Sequence, residues 1–428
     1  MPETPPLYPS PGQRFLVGAA LCLLMGAELL YLVTDAAALK VIAGLSFVAF
    51  AAIGASRFGL RELALFSVAA GMSVAMVALN PDGLADVVQA LSQAAFLGAF
   101  ILLMALLREA AATSPAVRLI GAWLTKQPPG RRYLAMHNGG HGLGVLLNFG
   151  AISLLSPLIQ QGIATSGAPE EVKRIRERRL LSALLRGFSW IVLWSPTSVT
   201  QALLAGMFAA ADPAKIVLGG LAISGVMILV GWAEDTLRWK RTAAQLRANR
   251  QGSEPLMPLP KRAALDLLTV IAVLAATVFA IRAMLDIRTV YALMIMAPLG
   301  LIGWSYIQAR AKVAEVGSVG AKLKGVFQDT LPNGAREAAT LGASAFLGVA
   351  MAALLPEEVI TPLVALGQID PGLFLAALPT IVLISCQFGV TPIVMVVFLG
   401  TAISHLDTPP VDFAWIAVAL STGWAMSM

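Results

Sequence analysis

The chain has 428 residues, 58% hydrophobic and 13% charged, with a mean hydropathy of +0.79. Soluble domains average about 25% charged residues, so the composition excludes an ordinary soluble protein and points to an all-α polytopic membrane protein. The net charge of +6 does not signal nucleic-acid binding, because the basic residues cluster between apolar segments, where the positive-inside rule accounts for them.

Residues 1–14, MPETPPLYPSPGQR, are proline-rich and polar and read as a cytoplasmic tail. Residues 15–34 are apolar apart from Glu28. A helix crosses the hydrocarbon core with about 20 apolar residues, and no clear small-residue cleavage site follows, so 15–37 is expected to hold a retained first transmembrane helix. Further spans are expected over 38–55, 62–79, 85–107, 181–209, 214–233, 264–285, 289–308, 338–355 and 412–428, about ten in all by that length criterion. The last is shorter than 181–209, so either that helix is short or the natural chain extends beyond Met428. Cys22 and Cys386 lie in separate apolar stretches and form no CxxC or metal-ligand spacing.

Two stretches, 133–162 and 372–404, are apolar but interrupted centrally by Gly, Asn, Gln or Pro. Each is either one kinked span or a re-entrant hairpin, and charge decides between them. With two hairpins, 25 of the 30 Lys and Arg residues fall on one side, and Lys40, Lys215, Arg282 and Arg288 fall on the other. A single crossing at 133–162 would move EEVKRIRERR (170–179) outside and weaken that bias. The hairpin reading places the N-terminus in the cytoplasm of a bacterial-type inner membrane. EEVKRIRERR then becomes a solvated cytoplasmic face able to lie on anionic lipid. One hairpin enters from each side, which is the order of an inverted-topology repeat. Repeat one spans 38–209 and repeat two 264–428, joined by a continuation and basic cytoplasmic linker over 210–263.

Non-helical backbone is tolerated at membrane depth only where it is buried in protein or lines a watery cavity. Four places qualify. HNGGHGLGVLLNFGAIS holds Asn148, Gly150 and Ser153. In SWIVLWSPTSVTQ, Pro196 removes an amide donor and breaks the 181–209 span, beside Ser195, Thr197, Ser198 and Gln201. SCQFGVTP, at the tip of the second hairpin, holds Ser385, Gln387 and Thr391, and LSTGWAMSM, at the end of the chain, holds Ser421 and Thr422. Opposed half-helix ends supply amide donors for an anion and carbonyls for a cation, so these twelve residues form the candidate solute and ion site.

This segment order, with its polar tips, resembles the ion transporter superfamily, which includes divalent anion/sodium symporters, NhaD-like sodium/proton antiporters and arsenite permeases. The resemblance is architectural and covers most of the chain. It implies two hairpins, a broken helix after each, elevator-type alternating access and a homodimer. Dicarboxylate-transporting members carry Ser-Asn-Thr-type signatures at both tips, where this chain has NFGAIS and CQFGVTP.

His137 and His141 are spaced like the ligands of an H-E-x-x-H zinc hydrolase, but Asn138 stands near the place of the glutamate base. His405 lies far along the chain. Among ionisable residues inside spans, Arg186 is expected to snorkel to the cytoplasmic surface, and Glu28 to serve structurally at a helix interface. No P-loop sequence occurs, so ATP is not the direct energy source. The expectation is a non-enzymatic secondary transporter without cofactor or bound metal, moving a small solute, an organic or inorganic anion, coupled to H⁺ or Na⁺. The alternatives are an intramembrane zinc-dependent hydrolase using His137 and His141, and a transporter or channel of unrelated fold.

Overall fold

Long apolar runs separated by Gly, Pro and Asp punctuation give helices throughout. The computed structural model describes residues 8, 10–128, 131–164, 169–248, 257–311, 317–355, 361–404, 406 and 409–428, and these contain helices but no strand. The first group is α1 (Pro11–Thr34), α2 (Ala37–Gly54), α3 (Leu60–Leu79), α4 (Gly83–Ala112), α5 (Pro115–Thr125), α6 (Arg132–Leu147), α7 (Gly150–Ala164), α8 (Glu170–Ser189) and α9 (Val199–Met207). After α10 (Pro213–Ala248) come α11 (Lys261–Leu285), α12 (Thr289–Arg310), α13 (Val319–Gly325), α14 (Leu331–Leu354), α15 (Thr361–Ile369), α16 (Pro371–Gln387), α17 (Pro392–Ser404) and α18 (Phe413–Ser427). Among the described residues, eight helical segments are long and apolar enough to cross a membrane: α1 to α4, α10, α11, α12, and α13 with α14. The protein is thus an all-helical polytopic membrane protein.

Side-chain pairs sort the helix ends into two groups. At one end, Arg14 meets Asp329 at 3.5 Å, Arg336 meets Glu62 at 3.5 Å, Lys322 meets Glu109 at 2.6 Å and Arg108 meets Glu337 at 3.9 Å. These pairs gather the start of α1, the start of α3, the end of α4 and the start of α14. At the opposite end, Lys40 sits 4.5 Å over the Tyr31 ring, Asn80 donates to the Ala353 carbonyl, and Lys215 meets Asp412 at 2.5 Å. The Arg288 guanidinium donates to the Ala205 carbonyl there, close to the end of α9.

The centre of the bundle is the antiparallel pair α4 and α14, in which Gly334 faces Leu102 and Gly342 faces the Ala94 carbonyl. Both helices are largely buried, whereas α3 and α11 expose most of their apolar surface, as lipid-facing helices do. Between the two ends, α2, α4 and α12 run one way and α3, α11 and α14 the other.

Two pairs of short helices follow these groups. In the first, α7 runs antiparallel to α8: Phe149 packs on Phe188 with ring centroids 5.0 Å apart, and Gln160 donates to Glu177. Helix α6 runs with α8, since Gly140 abuts Leu184 and Gly144 abuts Phe188 and Ile191. The pair α6–α7 therefore folds back on itself. In the second, α16 runs with α18, as Gly423 abuts Pro379 and Val382. Helix α17 runs with α14, with Thr391 bonded to Ser344 and Gly348 against Val394 and Val397.

Several boundaries differ from expectation. The run EEVKRIRERR is the first half of α8, continuous with its apolar half, because Arg179 pairs with Asp235 through two hydrogen bonds of 3.0 and 2.5 Å and ties this segment to α10. Arg186 is partly exposed and pairs with Glu234, itself exposed, at 2.8 Å. Within the expected continuation and linker, α10 runs unbroken from Pro213 to Ala248. Helices α5 and α15 were not anticipated; α5 is amphipathic, burying Val117, Gly121 and Leu124. His405 lies outside the described residues.

The glycines of HNGGHGLG do not interrupt α6. They permit contact instead: Gly139 meets Leu124, and a Cβ on Gly187 of α8 would sit 2.0 Å from the His137 carbonyl. Small residues let transmembrane helices approach in this way. Gly187→Ala should therefore cost about 1–3 kcal/mol through overpacking, whereas Gly162→Ala, with open space around it, should not. Thermal unfolding of both variants in detergent measures the difference.

Asp412 caps α18 by accepting from the Ala414 amide and lies outside the spans. The Lys215 ammonium beside it holds its carboxyl below the usual carboxylate range. A depressed folded-state pKa contributes stability that is present above the unfolded value, about 3.9 for Asp, and is lost as pH falls through the folded one. The pair is partly exposed, so the stability gap between wild type and Asp412→Asn should be about 0–1 kcal/mol at neutral pH. It should close below pH ~4, which melting curves across pH will check.

Candidate functional site

The interrupted helix after the first helix pair organises a buried polar cluster. Pro196 cannot donate a backbone hydrogen bond. Helix α8 ends at Ser189, a single tight 3-10 turn covers 190–193, and α9 begins at Val199. Ser198 caps α9 by accepting from the Gln201 amide at 3.3 Å. The break frees the Val192 and Leu193 carbonyls, and the Gln201 side-chain amide donates to both, at 2.9 and 3.0 Å. The same amide reaches Ser421 on α18 at 3.1 Å, and so joins the broken helix to the second half of the chain.

The turn between α6 and α7 docks on the same break. Asn148 adopts φ 51° and ψ −132°, close to the first central position of a type II′ turn, usually occupied by Gly. Its side chain compensates locally: Oδ1 accepts from the Phe149 amide and Nδ2 donates to the Thr197 carbonyl at 3.0 Å. Thr197 in turn donates to the Val145 carbonyl and shares a 2.8 Å hydrogen bond with Ser195. Asn148, Ser195, Thr197, Ser198, Gln201 and Ser421 thus form one connected, mostly buried cluster.

The other candidate residues lie apart from it. Ser153 is exposed on α7 and bonds only back to the Phe149 carbonyl. Thr422 bonds back to Val418 within its own helix. At the second turn, Gly389 has φ 86°, which requires glycine. Gln387 and Phe388 are exposed there, and Thr391 bonds Ser344 of α14 at 3.3 Å. None of the described hydrogen bonds joins Ser385, Gln387 or Thr391 to the cluster around Gln201. The expected fourth break is also missing: LSTGWAMS is helical through Ser427, because Gly423 serves close packing against α16.

Gly150 reveals a residue the sequence did not single out. A Cβ there would come within 2.6 Å of the Arg108 side chain, so the first turn lies directly against a cation from α4. Arg108 also lines a cavity of about 280 Å³ with Glu109, Asp329, Asn333 and Glu337. In the sequence it reads only as the first charge of a cytoplasmic loop.

The histidines divide in role. His141 stacks on Trp194 with centroids 5.6 Å apart. Its Nδ1 lies 2.9 Å from the Gly187 carbonyl, and its Nε2 accepts from the Trp194 indole at 3.1 Å. These partners fit the neutral ring protonated on Nδ1, so His141 clamps α6 to the break. His137 is fully buried, with neither ring nitrogen hydrogen-bonded. Among the described residues, no group of three or more His, Cys, Asp or Glu side chains could hold a metal ion. No protein-family model matches the sequence, and comparison with curated proteins and with solved structures finds no match.

Gln201→Leu strands the Leu193 carbonyl, at about 1–3 kcal/mol, leaves the Val192 carbonyl only the Ser198 hydroxyl at 3.5 Å, and should lower the melting temperature. At Asn148 the two contributions separate. Asn148→Gly keeps the turn but loses the bond to Thr197, whereas Asn148→Ala loses both, so Ala should be the less stable variant by thermal unfolding.

Proposed function

We propose that this protein is a secondary active transporter that carries a small solute, an organic or inorganic anion, across the cytoplasmic membrane with H⁺ or Na⁺ coupling. The observation that carries the proposal is the docking of a turn between two short helices on a broken helix, inside a bundle of apolar helices. An unwound backbone is costly within lipid, so its retention argues for a purpose. In this reading α6–α7 and α16–α17 are re-entrant hairpins entering from opposite sides, and the chain is an inverted repeat of 38–209 and 264–428. The opposite directions of α2 and α11, of α3 and α12 and of α4 and α14 support that arrangement. The sorting of basic segments to one end supports a cytoplasmic N-terminus in an inner membrane.

An anion is favoured by Arg108 against the first turn and by amide donors at the starts of α7 and α9. Every bond of the Gln201 cluster is internal to the protein, so a solute enters there only by exchanging one of them. The hairpins would move relative to the α4–α14 pair, as the elevator mechanism of the ion transporter superfamily requires, and a homodimer would anchor that pair. In the competing hydrolase reading, a metal on His141 Nε2 would have to displace the Trp194 indole, and no group of three or more His, Cys, Asp or Glu among the described residues could complete its site, which makes transport the better account.

Purified protein in proteoliposomes should take up a labelled organic anion saturably under a Na⁺ or H⁺ gradient. Arg108→Gln and Thr197→Val should each reduce uptake at least tenfold while remaining folded. Uptake unchanged in both variants, or flux linear in concentration, would refute the assignment.

A further inference from the structure

One of the buried polar atoms without a hydrogen-bond partner, the Gln93 side-chain nitrogen, lies nearer the opposite end of the bundle from Arg108. A cavity of about 300 Å³ opens there, at the lower end of the range for ligand pockets. Its wall draws on α1, α2, α4, α12, α14 and α17 and on the end of α9, so both halves of the chain contribute. Phe96 lines this cavity. It precedes Arg108 by twelve positions on α4, about 18 Å at 1.5 Å per residue, which makes the cavity distinct from the Arg108 pocket.

Two lining groups have no partner. Glu28 is 3% exposed, and none of the described residues hydrogen-bonds or pairs with its carboxylate. Ionisable residues inside membrane helices usually pair or face a cavity; Glu28 faces this cavity. The Gln93 side-chain nitrogen is buried without an acceptor. Lys40 stands at the exposed rim, held over the Tyr31 ring, and Ser92 and Thr401 add hydroxyls. Phe96, Met207 and Tyr291 supply an apolar wall.

The wall therefore offers one buried carboxylate, one buried amide donor without an acceptor and one ammonium, and no other full charge. We infer that this cavity is the outer binding site for a small zwitterionic solute, an amino-acid-like ammonium carboxylate. The ammonium would pair with Glu28, and the carboxylate would accept from Gln93 and Lys40. A simple anion would meet the Glu28 charge, and a simple amine would leave Gln93 without an acceptor. Buried groups of this kind discriminate because an incomplete ligand leaves them unpaired. The inference rests on the transporter reading and replaces its simple anion with an amino-acid-like solute whose carboxylate is one of two charged groups.

The test is binding rather than flux. Purified wild type is screened by thermal shift against the L-amino acids and γ-aminobutyrate, in sodium and in choline buffer. Matched monoamines and monocarboxylates serve as half-ligands. A ligand that binds only the folded state raises its stability, so at least one zwitterion should raise the melting temperature, with no shift from either half-ligand at the same concentration. Glu28→Gln should weaken binding at least tenfold. Lys40→Gln, a rim change that leaves the core intact, should weaken it severalfold, and Arg282→Gln should leave it unchanged.

A shift produced equally by a monoamine, a monocarboxylate or sodium alone overturns the inference. So does the absence of a shift with every zwitterion, or undiminished binding in both Glu28→Gln and Lys40→Gln. Saturable, gradient-coupled uptake of a simple anion that ignores Glu28→Gln would leave the transporter reading standing and remove this site alone.

Discussion

Within a membrane, a polypeptide that stops being helical must find partners for the groups it releases, because lipid supplies none. The segment 190–198 is governed by that constraint, and Gln201 meets most of it. One side-chain amide answers two freed carbonyls and a hydroxyl from the far half of the chain. The Asn148 turn, the Ser195–Thr197 pair and the His141–Trp194 clamp then assemble around a break already stabilised from within. Without such an amide, the Leu193 carbonyl would be buried and unanswered, and Val192 would keep only the Ser198 hydroxyl at 3.5 Å.

The interruption and its neighbours were legible in the sequence because proline has a local and nearly unconditional effect. Ser195, Thr197, Ser198 and Gln201 surround Pro196, and the structure brings them together with Asn148 and Ser421. The glycines of α6 and Gly423 of α18 were ambiguous for a physical reason: glycine both loosens a helix and permits close approach, and only the neighbouring helix decides which. Leu184, Phe188 and Ile191 decide it for α6. Arg108 was hidden because nothing in its surroundings in the chain marks contact with a turn some forty residues later. Helix α5 was short enough to read as loop until its buried face was visible.

Charge had a different kind of legibility. The expectation that basic segments share one side rested on composition alone, yet the ion pairs connect those same segments. Arg14, Glu62, Arg108, Lys322 and Arg336 all take partners at one end of the bundle. Such pairs are individually weak where exposed. Their common location still records the direction of each helix, and from those directions the opposed order of α2–α4 and α11–α14 follows.

The contrast between the two polar regions bears on mechanism. The bonds of the Gln201 cluster are internal, which in the proposed transporter would suit a rigid element that holds its shape while moving against α4 and α14. The cavity near Glu28 is unsaturated, which suits a surface that meets a changing occupant. An isolated buried carboxylate is expensive in a low-dielectric setting, and the cost falls when a cationic group enters beside it. A transporter needs that difference, since a site complete without its solute gains nothing by binding it. Thr401 on α17 and Met207 at the end of α9 both line the cavity, so movement of the second helix pair or of the broken helix would reshape it. A solute held between Glu28 and Gln93 would thereby bias the position of those elements, and the free energy of binding would be expressed as a change of conformation.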